Sequence, residues 1–157
     1  MKRQDFITCV EKSQRNLRRF LCGLCSGNVD LADDIAQEAY MKAYLASENF
    51  NDLENFNAWV TKIAYNVFLN TTRSRRHILP LESADATAST LTADSAFSYE
   101  KLYAALDLLS DRDKTVILLY YMQGYSTKEI SAILDITDET ARQALSRGRK
   151  KLKLMIK

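Results

Sequence analysis

Apolar residues recur at helical spacing along most of this chain, and the breaks between them mark out the elements. In residues 5–25, Phe6, Val10, Leu17, Phe20, Leu21 and Leu24 share one side, with Arg15, Arg18 and Arg19 opposite. Gly27-Asn28 ends that helix. A second runs from Asp30 to Tyr44, with Ala32, Ile35, Ala36, Ala39, Tyr40 and Ala43 inward and Asp33, Asp34, Gln37, Glu38 and Lys42 outward. Asp30 is its expected cap, and acids in the first turn suit the positive end of the helix dipole. A polar stretch, Ser47–Asn55, leads into a third helix over Phe56–Arg76. Trp59, Val60, Ile63, Ala64, Val67 and Phe68 form its buried stripe.

Over 78–96 the periodicity lapses. Ser, Thr and Ala dominate, Lys and Arg are absent, and the chain's only Pro lies here. Roughly 20 residues without a period is too long for an ordinary loop in a compact domain, so the segment reads as a flexible linker. From Phe97 the pattern returns, with Leu102, Leu106 and Leu109 on one edge. Ser110, with Asp113 three residues on, starts a helix over Asp111–Gln123, and Gly124 ends it in the left-handed position. Ser126 and Glu129 form a capping box for the next helix, whose apolar edge is Ile130, Ile133 and Leu134. Asp135-Ile136 interrupts the run, and Thr137 is placed to cap a final helix. There Ala141, Leu145, Gly148 and Leu152 make a narrow inward stripe, opposite Glu139, Gln143, Ser146 and Lys150. The fold class is therefore all-α: two small helical domains, 1–77 and 97–157, joined by the linker 78–96, the second ending in a helix-turn-helix.

Composition agrees, since one Pro and four Gly in 157 residues leave few helix breakers. No apolar run has the length of a membrane span, and the opening MKRQDFITCVEKSQ lacks the apolar core of a signal peptide, so a cytoplasmic location is expected. Cys9, Cys22 and Cys25 then read as reduced thiols. Cys22 and Cys25 have zinc-like spacing, but no second pair follows and the only histidine, His77, is distant, so no metal or other cofactor is expected. An enzyme is equally poorly supported: there is no glycine-rich phosphate loop, no His-Glu-x-x-His pair, and one histidine for acid–base work.

Charge is strongly segregated. Residues 125–157 hold eight Lys/Arg against four Asp/Glu, a net of +4, whereas the whole chain nets +2. Between Thr61 and His77 there is no acid, while Lys62, Tyr65, Asn66, Asn70, Arg73, Arg75 and Arg76 line the polar side. Cations that neutralise phosphates, interleaved with aromatic and amide side chains, suit nucleic acid. The final helix, small inside and long and polar outside, has the form a major groove accepts. Residues 30–54 hold seven acids and one Lys, a face that is either solvated or turned toward a basic protein. Phe50, among Asn49, Asn51 and Asn55, reads first as an anchoring aromatic in a helix connection.

Three blocks in this order resemble a bacterial sigma factor of the small extracytoplasmic-function class: LADDIAQEAYMKAY (31–44), FNAWVTKIAYNVFLNTTRSRR (56–76) and 109–153. The resemblance implies a non-catalytic transcription initiation factor that binds core RNA polymerase and both duplex and melted promoter DNA. Asp33, Asp34, Gln37 and Glu38 would face the polymerase clamp. The loop 49–55, with Asn49, Phe50 and Asn51, would receive a flipped minus-ten base. Lys62, Tyr65, Asn66, Asn70, Arg73 and Arg76 would hold the separated strand. Thr137, Glu139, Arg142, Gln143, Ser146 and Arg147 would lie in the minus-thirty-five major groove. An anti-sigma factor, commonly membrane-anchored in the family, is a further implied partner. The sequence departs from the family at Asp135, where Gly is usual, at Leu31 and Asn70, where acids are common, and at Gln143-Ala144. The rival expectation is a stand-alone helix-turn-helix regulator that binds duplex DNA as a dimer.

Overall fold

The computed structural model describes residues 1–50, 55–78 and 101–155, apart from the side chains of 74–78 and 155. The described residues form helices and their connections, with no strand among them. In the first half, α1 (Arg3–Leu24), α2 (Val29–Ala46) and α3 (Phe56–Ile78) enclose Phe20, Leu21, Ile35, Phe56, Val60 and Val67, each 2% exposed or less. Alanines 32, 36, 39 and 43 are fully buried, so the α2 backbone comes close to its neighbours. Ser13 is buried on α1 without polar cost, because its hydroxyl lies 2.7 Å from that of Tyr40.

The start of α2 corrects the sequence expectation. Its cap is Asn28, whose side-chain oxygen accepts from the Leu31 amide at 3.1 Å, and Asp30 lies inside the first turn. Ser26 and Gly27 take positive φ values of 56° and 87°, so the chain reverses at once and the helix begins early. Asp30 still meets the positive end of the helix dipole.

In the second half, a helix over 101–107 (α4) precedes α5 (Asp111–Ile117), α6 (Thr127–Leu134) and α7 (Asp138–Met155). Ser110 caps α5 by accepting from the Asp113 amide. The sequence predicts one α-helix from Asp111 to Gln123; instead, Leu118–Met122 forms a wider π-turn, closed by the Gln123 amide on the Leu118 carbonyl at 3.2 Å. Gly124 then takes φ 77°, as its position requires. The capping box holds in both directions, at 3.0 and 3.2 Å. Asp135 adopts the left-handed conformation, φ 56° and ψ 44°, at the turn where glycine is usual.

The two halves press on one another and share one continuous core. Leu118 fits against α1 where Gly23 has no side chain; a Cβ there would stand 2.9 Å from Leu118 Cδ2. Lys114 is buried at this junction, donating to the Leu24 carbonyl at 3.0 Å and to Asp107 at 2.8 Å. Its cation thus meets both a carboxylate and the negative end of α1. Ser26 adds a hydroxyl bond to the same Asp107 oxygen at 2.6 Å. Of the linker expected over 78–96, residue 78 closes α3 and the remainder lies outside the described residues.

Candidate nucleic-acid interface

The final helix is set by close packing. Ala141, Ala144 and Leu145 are buried, and Gly148 is where α7 crosses α5: a Cβ there would lie 2.6 Å from Ile117 Cγ1. That crossing turns Thr137, Glu139, Arg142, Gln143, Ser146 and Arg147 outward together, all exposed. Their chemistry differs. Thr137 is engaged in capping, its oxygen accepting from the Thr140 amide at 3.0 Å. Arg142 pairs with Asp138 one turn back, and the Thr127 hydroxyl together with that guanidinium holds the Asp138 carboxyl below its usual range. Arg147 is forked onto Asp113 at 3.1 and 3.3 Å. Asp113 is almost wholly buried, yet the Arg147 side chain stays 53% exposed. Glu139, Gln143 and Ser146 project into solvent.

Sequence reasoning left Arg149 undifferentiated among the basic residues. Its guanidinium donates to the Tyr121 hydroxyl and lies over the Tyr120 and Tyr121 rings, 5.3 and 5.5 Å from their centroids. The π-turn brings those tyrosines under it, and no periodicity announces a π-turn.

On α3, Asn66, Asn70 and Arg73 are exposed on one face. Lys62 and Tyr65 lie at the junction of the halves. Lys62 reaches Asp135 at 3.1 Å, and the half-buried Tyr65 hydroxyl is bonded to Thr115; burial pushes its pKa up. Arg76 has only its backbone described, and Asn51 lies outside the described residues. Asn49 ends a short 3-10 turn, Ser47–Asn49. Phe50 then lies flat on Trp59, so the anchoring role read from the sequence is present in the geometry.

Along α2, Asp34, Gln37 and Glu38 are exposed, while Asp33 is partly covered and pairs with Arg18 at 3.4 Å. The same stripe continues into Met41 and Leu45, 68% and 78% exposed, beside an apolar groove of about 580 Å³ between α1 and α2. The sequence reading missed these two, although both sit off the inward set. Cys22 is half-buried, and desolvation raises its thiol pKa. Among the described residues, no cluster of three His, Cys, Asp or Glu side chains could hold a metal ion. No helix among them is long and apolar enough to cross a membrane.

Residues 9–78 match the family model of sigma-70 region 2, and residues 99–152 that of sigma-70 region 4. The chain is 31% identical to the ECF RNA polymerase sigma factor EcfG of Rhodopseudomonas palustris, an alignment covering 98% of this chain and 84% of the relative. It is also 31% identical to the ECF RNA polymerase sigma factor SigW of Bacillus subtilis, covering 87% and 81%. Among solved structures, the sigma factor RpoE in complex with the anti-sigma factor NepR, from Bartonella quintana, matches with a TM-score of 0.80 at 25% identity, covering 98% of this chain and 97% of that one. CnrH in complex with the cytosolic domain of CnrY matches in fold, with a TM-score of 0.72 at 23% identity.

Proposed function

Because this chain belongs to the ECF RNA polymerase sigma factors, we propose that it initiates transcription by grasping a promoter at two points while α2 docks on the polymerase. The family membership carries the function itself: the chain is a transcription initiation factor of the sigma-70 family. The observation that carries the two-point reading is the pairing of an exposed, small-cored α7 with the acid-free face of α3 in one chain. The stand-alone regulator is not favoured, since a region 2 match fills the first half of the sequence.

In this reading α7 enters the upstream major groove, with Gln143, Arg142 and Ser146 toward base edges and Lys150 and Arg149 toward phosphates. Asn66, Asn70, Arg73 and Arg76, with Lys62 and Tyr65, hold the melted minus-ten strand through phosphate neutralisation and stacking. The loop that begins at Asn49 and Phe50 receives an extruded base, whose unstacking costs a few kcal/mol. Asp34, Gln37 and Glu38, with Asp33 beside them, present negative charge to a basic clamp surface, and Met41 and Leu45 add apolar contact beyond them. The factor performs no catalysis of its own and acts in the cytoplasm.

An anti-sigma factor is the other proposed partner. Support comes from the solved sigma factor RpoE of Bartonella quintana, captured with the anti-sigma factor NepR. The function is tested by mixing the purified chain with core polymerase and a linear genomic template. A stable complex and permanganate-reactive thymines near start sites are expected; failure to join core polymerase refutes the reading.

A further inference from the structure

Cys22 lies in the last turn of α1 and Cys25 caps it, with the Cys25 amide still donating to the Leu21 carbonyl at 2.9 Å. Helical geometry therefore reaches both residues. At that spacing the Cα atoms stand about 5 Å apart, inside the span of about 4.4–6.8 Å that a disulfide accepts. The two side chains also leave the same face of the helix. Cys22 is partly open to solvent, whereas Cys25 is only 8% exposed. Cys9 stands about 20 Å away along the helix, out of reach of either. The residues around the pair seat the second half of the chain. Gly23 makes room for Leu118, the Leu24 carbonyl accepts from Lys114 at 3.0 Å, and Ser26 donates to Asp107 at 2.6 Å.

From this placement we infer that Cys22 and Cys25 are a reversible thiol–disulfide site, oxidised by a small-molecule disulfide, whose bridge disturbs the seat of Lys114. The Cys22 thiolate attacks one sulfur of the incoming disulfide and releases one small thiolate. Cys25 then gives up its proton and attacks the Cys22 sulfur, forming the Cys22–Cys25 bond and releasing the second. Two electrons pass from the pair to the reagent, which takes up the two protons and leaves as two thiols. Cys22 is the point of entry because it is the more exposed, and Cys25 needs no access to solvent. Burial, then the nearby Asp33 carboxylate, pushes the Cys22 thiol up against a weaker pull from Arg18, so entry is slow. The same rise leaves no stabilised thiolate to hold the pair reduced. The bridge also has a mechanical consequence. Cβ atoms three residues apart on a helix lie about 5–6 Å from one another, and a disulfide needs about 3.5–4.5 Å. The turn at Gly23 and Leu24 must therefore contract by roughly 1–2 Å. Leu118 has no slack there, since even a Cβ on Gly23 would stand 2.9 Å from its Cδ2, and the Lys114 bond to Leu24 is drawn off line. A strained bridge is the more readily reduced, which makes the change reversible.

The test exposes the full chain to glutathione disulfide and maps its thiols by mass spectrometry. A loss of two hydrogens confined to the Cys22–Cys25 segment, with Cys9 still open to alkylation and full reversal by dithiothreitol, is expected. Bridging should raise acetylation of the buried Lys114 amine by N-hydroxysuccinimide acetate several-fold, with helicity by circular dichroism unchanged. Cys25→Ser should stop at the mixed disulfide on Cys22 and leave Lys114 protected. Survival of all three thiols under saturating reagent, a persistent mixed disulfide in the wild-type chain, or a bridge between two chains overturns the inference. So does an internal bridge that leaves Lys114 labelling unchanged or unfolds the chain.

Discussion

Phe50 lies flat against Trp59, with ring centroids 4.1 Å apart and planes 4° from parallel. Trp59 in turn meets Phe56 edge-on at 5.7 Å, so the entry to α3 is held by three rings in sequence. The stack fixes where the chain leaves for the loop proposed to receive a promoter base. Phe50→Ala should destabilise the fold by about 1 kcal/mol, the order of an aromatic pair. Trp59 is the only tryptophan in the chain, so its emission should shift to longer wavelength. The same variant should impair strand opening, read by a fluorescent base analogue, more than duplex binding. Normal opening would remove Phe50 from that role.

Gly148 sets how closely α7 approaches α5. Gly148→Ala adds a methyl 2.6 Å from Ile117 Cγ1, a distance no relaxation of side-chain ends removes. Overpacking of this kind costs about 1–3 kcal/mol. Urea denaturation should register that loss, and Ile117→Ala, which removes Cγ1, should cost less in that chain than in the wild type. Additive losses in the double variant would mean the two positions are not in conflict.

Arg147 has two roles that stability measurements can separate. Its fork satisfies the buried Asp113 carboxylate, and leaving such a group without a partner costs about 1–3 kcal/mol. Arg147→Ala should therefore lower the melting temperature with no DNA present. Arg147→Lys should recover some stability, though a single ammonium cannot reproduce the fork. An unchanged melting temperature would make Arg147 solely a DNA contact.

Arg142 is held by Asp138 one turn back, exposed and poised at the N-terminal end of α7. If it reads a base, Arg142→Ala should cost about 1–3 kcal/mol and erase discrimination at one promoter position. Competition binding across a panel of single-base variants of the site makes that measurement. Equal weakening over all sequences would identify a phosphate contact.

Most of the helical architecture is legible in the sequence because local signals and burial agree. Ser126 and Glu129 cap α6 as their spacing requires, and Ala141, Leu145 and Gly148 form the inward stripe they predict. Asp30 misleads as a cap because Asn28, just after the reversal at Gly27, reaches the Leu31 amide first. The π-turn at Leu118–Met122 leaves no trace in an apolar period, so the anchoring of Arg149 on Tyr120 and Tyr121 is invisible beforehand. The exposed faces of α2, α3 and α7 are predictable from alternation of apolar and polar positions. Contacts between the halves are not, because Lys62–Asp135 and Lys114–Leu24 join residues far apart in sequence with no periodic relation.

The proposed role is tested most directly by sequencing the transcripts made in vitro from genomic DNA by core polymerase with and without this protein. The account predicts a discrete set of new start sites, preceded by two shared sequence elements at constant spacing and lost when Asn66 and Arg73 are both changed to Ala. Transcripts indistinguishable from those of core polymerase alone would contradict it.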